Sequence, residues 1–90
     1  MFPTECGSQL FGRVTCTSIN YFYRECSVPG ADVIHLIKLH ESLSQQACVF
    51  KRTFGFRDNS VWVTDGCSGI FYLCYDGGKY VMESLVRFAQ

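Results

Sequence analysis

The sequence lacks the features that would place the protein in a membrane or on a nucleic acid. No apolar run is long enough to span a bilayer, since the longest covers only residues 69–75. Eight basic residues balance eight acidic ones, and the formal net charge is zero. Nucleic-acid affinity depends on an excess of Lys and Arg. We therefore expect no membrane span and no nucleic-acid partner.

Patterns that support catalysis or metal binding are also missing. No C-x-x-C pair suggests a zinc or redox site, and no Asp-x-Asp-x-Asp loop suggests calcium binding. His35 and His40 would not share one face of a strand, so they make a poor metal site. The even number of cysteines indicates oxidised thiols, which cannot act as nucleophiles. The sequence thus predicts no enzyme, no metal and no cofactor.

What the sequence has in abundance is cysteine. Six cysteines in 90 residues indicate a small domain whose core is stable only with disulfides. Such bridges persist in oxidising compartments, so we expect a secreted, extracellular protein, with reduced thiols as the alternative. The N-terminal residues do not resemble a signal peptide, so a secreted chain would be a processed or partial product. The candidate disulfide cysteines are Cys6, Cys16, Cys26, Cys48, Cys67 and Cys74.

The first third of the chain predicts a β-hairpin. Residues 1–12 show no sustained period and form an irregular lead-in. Residues 14–17 and 22–27 are rich in β-branched and aromatic residues and are separated by a polar break, as in two paired strands. Cys16 and Cys26 would then lie close enough for a disulfide, which this geometry permits but does not require.

The middle of the chain begins with a segment that fits two structures. Residues 33–40 have the β-branched content of a strand, which we favour. A helix that starts at an Asp32 N-cap would also place several of their apolar side chains on one face. The polar residues 41–46 would form one helical turn. Residues 49–56 predict a strand with three phenylalanines on one face, namely Phe50, Phe54 and Phe56.

The rest of the chain would fold around residues 58–75, the most densely patterned stretch. Turns at 57–60 and 65–66 separate strands at 61–64 and 70–75. Turn signals every eight to twelve residues predict an all-β fold, a small disulfide-stabilised antiparallel sheet that is barrel-like or sandwich-like. We expect one domain over residues 1–90, with its core at 13–76 and a C-terminal strand or short helix at 77–90.

Aromatic residues supply the functional signal. The chain contains eight Phe, five Tyr and one Trp, more than a core of this size needs, so some must reach the surface. An exposed ring beside planar polar groups suits a sugar, because the ring stacks on its C–H face and the polar groups bind its hydroxyls. The plainer interpretation is that the tryptophan, which is flanked by two valines, lies in the core and that the cations are simply solvated. The candidate ligand-binding residues are Arg57, Asp58, Asn59, Trp62, Asp65, Lys51 and Arg52.

Three motifs together resemble a known family. They are V-T-C-T-S at 14–18, F-G-F at 54–56 and S-V-W-V-T-D-G-C-S-G-I-F at 60–71. They are similar to a family of small secreted cysteine-rich domains, mostly bacterial and of unknown function, whose hallmark is a G-x-W-V-x-x-G-C-R-A-x-F motif. Lectins from sea-hare eggs also resemble this family. The resemblance covers residues 14–75.

The resemblance carries expectations about the cysteines and the hallmark motif. Four cysteines match the family, and the remaining two, Cys6 and Cys74, lie outside the bacterial set and are expected to pair with each other. Residues 68–69 are Ser-Gly where the motif has Arg-Ala, so any role of that arginine is missing here. A sugar specificity is therefore not carried over.

Two functional hypotheses follow. The first is a secreted, non-catalytic, lectin-like carbohydrate-binding module for galactose-type or acidic sugars, in which Arg57, Lys51 or Arg52 would bind a sugar carboxylate. The second is a structural or protein-interaction module of extracellular matrix, mucus or egg coat, in which surface aromatics form a protein interface. A homo-oligomer is compatible with either hypothesis. A secreted inhibitor or toxin is a third, weaker hypothesis, because no reactive loop can be named for it.

Overall fold

A computed structural model describes residues 6–77, which form two three-stranded antiparallel sheets. A short 3-10 turn at Ile19–Tyr21 connects the first two strands. The predicted class, an all-β antiparallel fold held by disulfides, is confirmed. The strands are β1 (Leu10–Thr17), β2 (Arg24–Ser27), β3 (Val33–Ser42), β4 (Phe54–Arg57), β5 (Ser60–Val63) and β6 (Ser68–Asp76).

The centre of each sheet comes from the stretch that the sequence marks as densest, residues 58–75. Sheet A has the strand order β1-β6-β3, and sheet B has the order β2-β5-β4. Strands β6 and β5 are thus hydrogen-bonded on both edges, and the other four strands each pair along one edge with one of them. The four upstream strands of the described chain, β1 to β4, therefore all pair with strands from this stretch.

The core lies between the two sheets. Val61 and Val63 of β5 are fully buried, as are Phe71 and Leu73 of β6, because alternate residues of a strand point to the same face. The rings of Phe54 in sheet B and Phe71 in sheet A lie 4.9 Å apart, centroid to centroid. Burial of these apolar side chains holds the sheets together.

Three disulfides supplement this small core. Cys16–Cys26 joins β1 of sheet A to β2 of sheet B, and Cys6–Cys74 attaches the N-terminal segment to β6. Cys48–Cys67 attaches the β3–β4 connection to the residue that precedes β6. The structure thus contains the Cys6–Cys74 pair that the resemblance implied, and none of the six cysteines is free.

The predicted hairpin between residues 14–17 and 22–27 is wrong. Strand β1 pairs over eight residues with β6, and β2 pairs with β5 in the other sheet. The pairing with β6 gives β1 a longer ladder than the four-residue β2 can offer. Cys16 and Cys26 are still close, because the chain crosses from one sheet to the other between them. Strand β1 also begins at Leu10, inside the stretch expected to be irregular.

Two further predictions about local structure are corrected and one is confirmed. Residues 33–40 form a strand rather than a helix. The predicted helical turn over 41–46 is wrong, because β3 continues through residue 42 and Ser44 then hydrogen-bonds to the backbone of Gln46 and Ser68. The predicted strand over 49–56 begins only at Phe54, because Thr53 Oγ1 bonds to the backbone of residues 47 and 49 and closes a turn.

The C-terminal strand or short helix predicted at 77–90 lies outside the described residues, apart from Gly77. Within residues 6–77, no helix is long and apolar enough to cross a membrane.

Candidate functional site

The only tryptophan lies on the outer face of sheet B. Its neighbours Val61 and Val63 are both fully buried, so the alternation along β5 directs Trp62 away from the core. Its side chain is partly exposed there. In the sequence the flanking valines favoured a core position for Trp62. In the structure the valines themselves occupy the core, and for that reason Trp62 faces outward.

A glycine on the neighbouring strand makes room for the indole. Gly55 of β4 is directly opposite Trp62 in the register of sheet B. A Cβ atom built on Gly55 would lie 2.7 Å from Cζ2 and 2.9 Å from Nε1 of Trp62, which is too close for any real side chain. The indole therefore lies against the bare backbone of β4.

A second ring and two charged groups complete this surface. The Tyr23 ring lies nearly parallel to the indole, with centroids 6.0 Å apart and an interplanar angle of 22°. Glu25, which is opposite Trp62 on β2, accepts a 2.7 Å hydrogen bond from the Tyr23 hydroxyl. Its carboxylate also lies 4.0 Å from Arg57. We call this surface the aromatic face: Tyr23, Glu25, Gly55, Arg57 and Trp62.

The hydrogen bond from the tyrosine affects its ionisation. The bond to the Glu25 carboxylate raises the pKa of Tyr23, because ionised Tyr23 could no longer donate it. Partial burial and the negative charge of Glu25 raise the pKa further, and Arg57 opposes the change. Tyr23 is therefore neutral at physiological pH, and its hydroxyl hydrogen is directed at Glu25.

An exposed loop rich in apolar side chains adjoins the aromatic face. We call residues 18–23, which connect β1 to β2, the aromatic loop. Phe22 is 72% exposed, Tyr21 62%, Ile19 52% and Tyr23 51%. Beside the loop is a groove of about 220 Å³, lined by Ile19, Asn20, Phe22, Tyr23 and Arg24.

Backbone and side-chain hydrogen bonds fix the conformation of this exposed loop. The buried Ser18 hydroxyl donates to the Phe22 carbonyl at 2.8 Å and accepts from the Gly66 backbone N–H at 3.0 Å. The Asp65 N–H donates to the Tyr21 carbonyl at 3.3 Å. The Tyr21 ring packs on Gly66, where a Cβ atom would come within 2.9 Å of its Cε1. The loop is therefore held by the turn between β5 and β6.

The seven predicted ligand-binding residues do not form one cluster. Arg57 belongs to the aromatic face with Trp62. Asp58 and Asn59 form the β4–β5 turn, and their carbonyls accept hydrogen bonds from the N–H groups of Ile34 and Val28. The turn thus links sheet B to the start of β3, which is a structural role for its backbone.

The other three predicted residues lie elsewhere. Asp65 is in the turn at the opposite end of β5, where the aromatic loop is attached. Lys51 and Arg52 are exposed in the turn before β4, and Lys51 Nζ lies 5.7 Å from the ring centroid of Phe50. Among residues 6–77 no group of three His, Cys, Asp or Glu side chains could hold a metal ion.

Sequence reasoning missed Tyr23, Glu25 and the aromatic loop. The predicted hairpin places Phe22 and Tyr23 in its second strand, where cross-strand pairing would explain their rings, and leaves Tyr21 in the connection. The signal that could have found the site is the polar break followed directly by three aromatic residues, since a turn with exposed rings has no packing role.

These features define a class of protein: a small all-β domain in which three disulfides and two sheets leave a fixed group of aromatic side chains exposed. The family model described as "Protein of unknown function (DUF3011)" matches residues 6–76, and the chain belongs to this family. The match begins at Cys6 and spans all six cysteines, so it extends beyond the residues that carried the resemblance.

One curated relative has a functional name. The chain is 32% identical over 87 residues to Lectin ADEL from Aplysia dactylomela. The alignment covers 94% of this chain and 38% of the lectin, so the chain spans less than half of that relative's length. No solved structure matches the chain.

Proposed function

We propose that this domain is a non-catalytic carbohydrate-binding module that binds a sugar on the aromatic face. The observation that supports the proposal most is the pair of rings, Tyr23 and Trp62, near-parallel at 6.0 Å and directly beside a carboxylate and a guanidinium. Similarity to a protein named as a lectin supports the same class of function.

Each group of the aromatic face has a role in this proposal. The rings of Trp62 and Tyr23 stack on the apolar C–H face of the sugar. Glu25 accepts hydrogen bonds from sugar hydroxyls, and Arg57 donates to them. Because the Tyr23 hydroxyl already donates to Glu25, its oxygen is left to accept a bond from the ligand. The binding groups are thus oriented before the sugar arrives.

The charges of the face favour a neutral sugar over an acidic one. Arg57 would attract a sugar carboxylate, but Glu25 lies only 4.0 Å from the Arg57 guanidinium and would repel it. We therefore propose a galactose-type ligand at this face, with acidic sugars binding less tightly. The three disulfides support a secreted, extracellular location, since such bridges persist in oxidising compartments.

A protein-interaction module of extracellular matrix, mucus or egg coat is the second candidate. The exposed side chains of Ile19, Tyr21 and Phe22 support it, because exposed apolar groups of this kind also form protein interfaces. The two candidates differ in solution behaviour. The second requires a homo-oligomer or a captured protein partner, and a clean monomer without a partner in pull-downs would contradict it.

A glycan array tests the first candidate, followed by titration of the sugars that bind. Trp62→Ala should weaken binding about 30-fold, equivalent to about 2 kcal/mol for a buried aromatic contact. Tyr72→Ala is the matched control, since Tyr72 is a partly exposed aromatic residue near the middle of the other central strand, on sheet A.

The control variant should bind as tightly as the wild type. An array on which no sugar binds the folded wild-type domain would overturn the proposal. Equal losses for Trp62→Ala and Tyr72→Ala would place the site somewhere other than the aromatic face.

A further inference from the structure

We infer that the domain binds an oligosaccharide rather than a single sugar, with one unit on the aromatic face and the following units in the groove of the aromatic loop. The inference rests on the proposed function and specifies its ligand. The groove and the face share Tyr23, whose ring lines the groove and lies nearly parallel to Trp62. A ligand chain that leaves Trp62 along Tyr23 therefore enters the groove.

The size of the groove fits part of a chain better than a separate ligand. Its volume is about 220 Å³, whereas sites for whole small molecules usually have about 300–1,000 Å³. A groove this small holds a portion of a ligand whose remainder is bound elsewhere. The aromatic face supplies that second place of contact.

The lining of the groove has the composition that a sugar chain needs. Phe22 and Tyr23 offer flat apolar rings for the C–H faces of sugar units. Asn20 offers an amide that both donates and accepts hydrogen bonds, and Arg24 offers a planar group of donors. Among the described residues no acidic side chain lines the groove, so Glu25 of the adjoining face is the acceptor that a chain would meet next.

The loop is built to keep these rings exposed. Asn20 and Tyr21 both have a left-handed backbone, with φ of 55° and 68°, a conformation that costs about 1 kcal/mol or more for a non-glycine residue. Ser18 nevertheless bonds to both Phe22 and Gly66, and Cys16–Cys26 closes the segment. The structure thus maintains a strained loop whose apolar side chains bury little area.

A fixed, exposed aromatic loop is costly for the free domain but favourable for binding. Rings that are already in place lose little conformational entropy when a ligand stacks on them. The same loop could instead contact a protein. Two features favour a sugar chain: the loop is continuous with the Trp62 surface, and the groove is lined by an amide and a guanidinium. Protein binding is the competing outcome of the experiment.

The experiment measures affinity against chain length. Galactose oligomers of one to four units are titrated against the domain, with the fluorescence of Trp62, the only tryptophan, as the readout. The dissociation constant should fall about tenfold between one and three units, because each further stacking contact contributes about 0.5–1.5 kcal/mol.

Two matched substitutions locate the additional units. Phe22→Leu keeps an apolar side chain but removes the flat ring, and Phe22 is 72% exposed, so the fold should tolerate it. It should weaken binding of the trimer about fivefold and leave the monomer unchanged. Phe50→Leu is the control: Phe50 is 47% exposed and packs against Phe54 and Phe56, away from the groove.

Each outcome has a definite meaning. The oligosaccharide inference is overturned if the affinity does not depend on the length of the sugar chain, or if Phe22→Leu leaves the affinity for the trimer unchanged. The proposal of a single bound sugar then still stands. No fluorescence change with any oligomer overturns the inference together with a galactose-type ligand. A third outcome is that the wild type captures a protein, that Phe22→Leu does not, and that sugar binding does not depend on chain length. In that case the loop is a protein interface instead.

Discussion

Trp62 and Tyr23 show how neighbouring residues orient single side chains at the outer face of sheet B. Trp62 is directed outward because both its neighbours are in the core, and Gly55 lets its indole lie against the backbone of β4. Tyr23 is oriented by one hydrogen bond to Glu25. Gly55 and Glu25 lie opposite Trp62 on the two strands that flank β5, so the surface exists only after sheet B has formed.

At the residue scale, the bond between Tyr23 and Glu25 predicts a pH dependence. The bond raises the pKa of Tyr23 in the folded state above its ordinary unfolded value of about 10. The stabilisation of the fold by this hydrogen bond is therefore fully present below the unfolded pKa of Tyr23. It is lost as the pH rises through the folded pKa. Glu25→Gln should shift the Tyr23 titration toward lower pH, as followed by the ring signals of Tyr23 in NMR spectra.

The control for this titration is Tyr72, whose signals report on the fold rather than on Glu25. The ring signals of Tyr72 at neutral pH should be the same in the wild type and in Glu25→Gln. A Tyr23 titration that is also unchanged by Glu25→Gln would show that the carboxylate does not hold the hydroxyl in solution.

At the scale of elements, the aromatic loop depends on a turn that is distant in sequence. Ser18 is 48 residues from Gly66, yet its hydroxyl accepts the Gly66 N–H. The turn itself has left-handed residues, with φ of 56° at Asp65 and 88° at Gly66. The Asp-Gly pair thus closes the β5–β6 connection and also offers an N–H group to the loop.

Removal of the Ser18 hydroxyl should therefore weaken both the loop and the domain. Ser18→Ala loses two hydrogen bonds and leaves the Gly66 N–H without its side-chain acceptor, which should lower the free energy of unfolding by about 1–3 kcal/mol. Chemical denaturation measures this loss. The same variant should lose affinity for a galactose trimer, because Phe22 is no longer fixed.

Ser42→Ala is the control, since Ser42 is exposed and its hydroxyl makes one 3.2 Å hydrogen bond to the Ser44 carbonyl. Its unfolding free energy should stay within about 0.5 kcal/mol of the wild type, as is usual for surface substitutions. Equal stabilities of Ser18→Ala and the wild type would contradict the role assigned to Ser18.

For the whole molecule, the disulfides connect parts that the small core would hold only weakly. Bridges of this kind each contribute about 2–4 kcal/mol, and the total is comparable to the stability of a small domain. Cys6 and Cys74 are both buried, whereas Cys26 and Cys48 are each partly exposed. A reductant thus reaches the Cys6–Cys74 bridge least easily.

Reduction should unfold the domain and should open Cys6–Cys74 last. Circular dichroism with increasing reductant follows the loss of the sheets, and mass spectrometry after alkylation shows which cysteines have been released. Alkylation without reductant is the control and should modify no cysteine. Six reactive thiols in the native protein, or sheets that persist after complete reduction, would contradict this account of the stability.

The sequence predicted the elements whose signals are local. The turn at 57–60, the Asp65-Gly66 turn and the strands around Trp62 and at 70–75 follow from turn chemistry and alternation, and the structure has all of them. The strand preference over 33–40 held because β-branched residues favour an extended backbone. The all-β class followed from the spacing of these signals along the chain.

Only the tertiary structure decided which strands pair and which residues share a surface. The predicted hairpin failed because β1 found a longer partner in β6, a choice that depends on residues more than 50 positions away. For the same reason Tyr23 and Glu25 joined Trp62, while Asp65, Lys51 and Arg52 did not. Turns and alternation depend on neighbouring residues, which a sequence displays, whereas strand pairing depends on the competition between distant partners, which only the folded chain resolves.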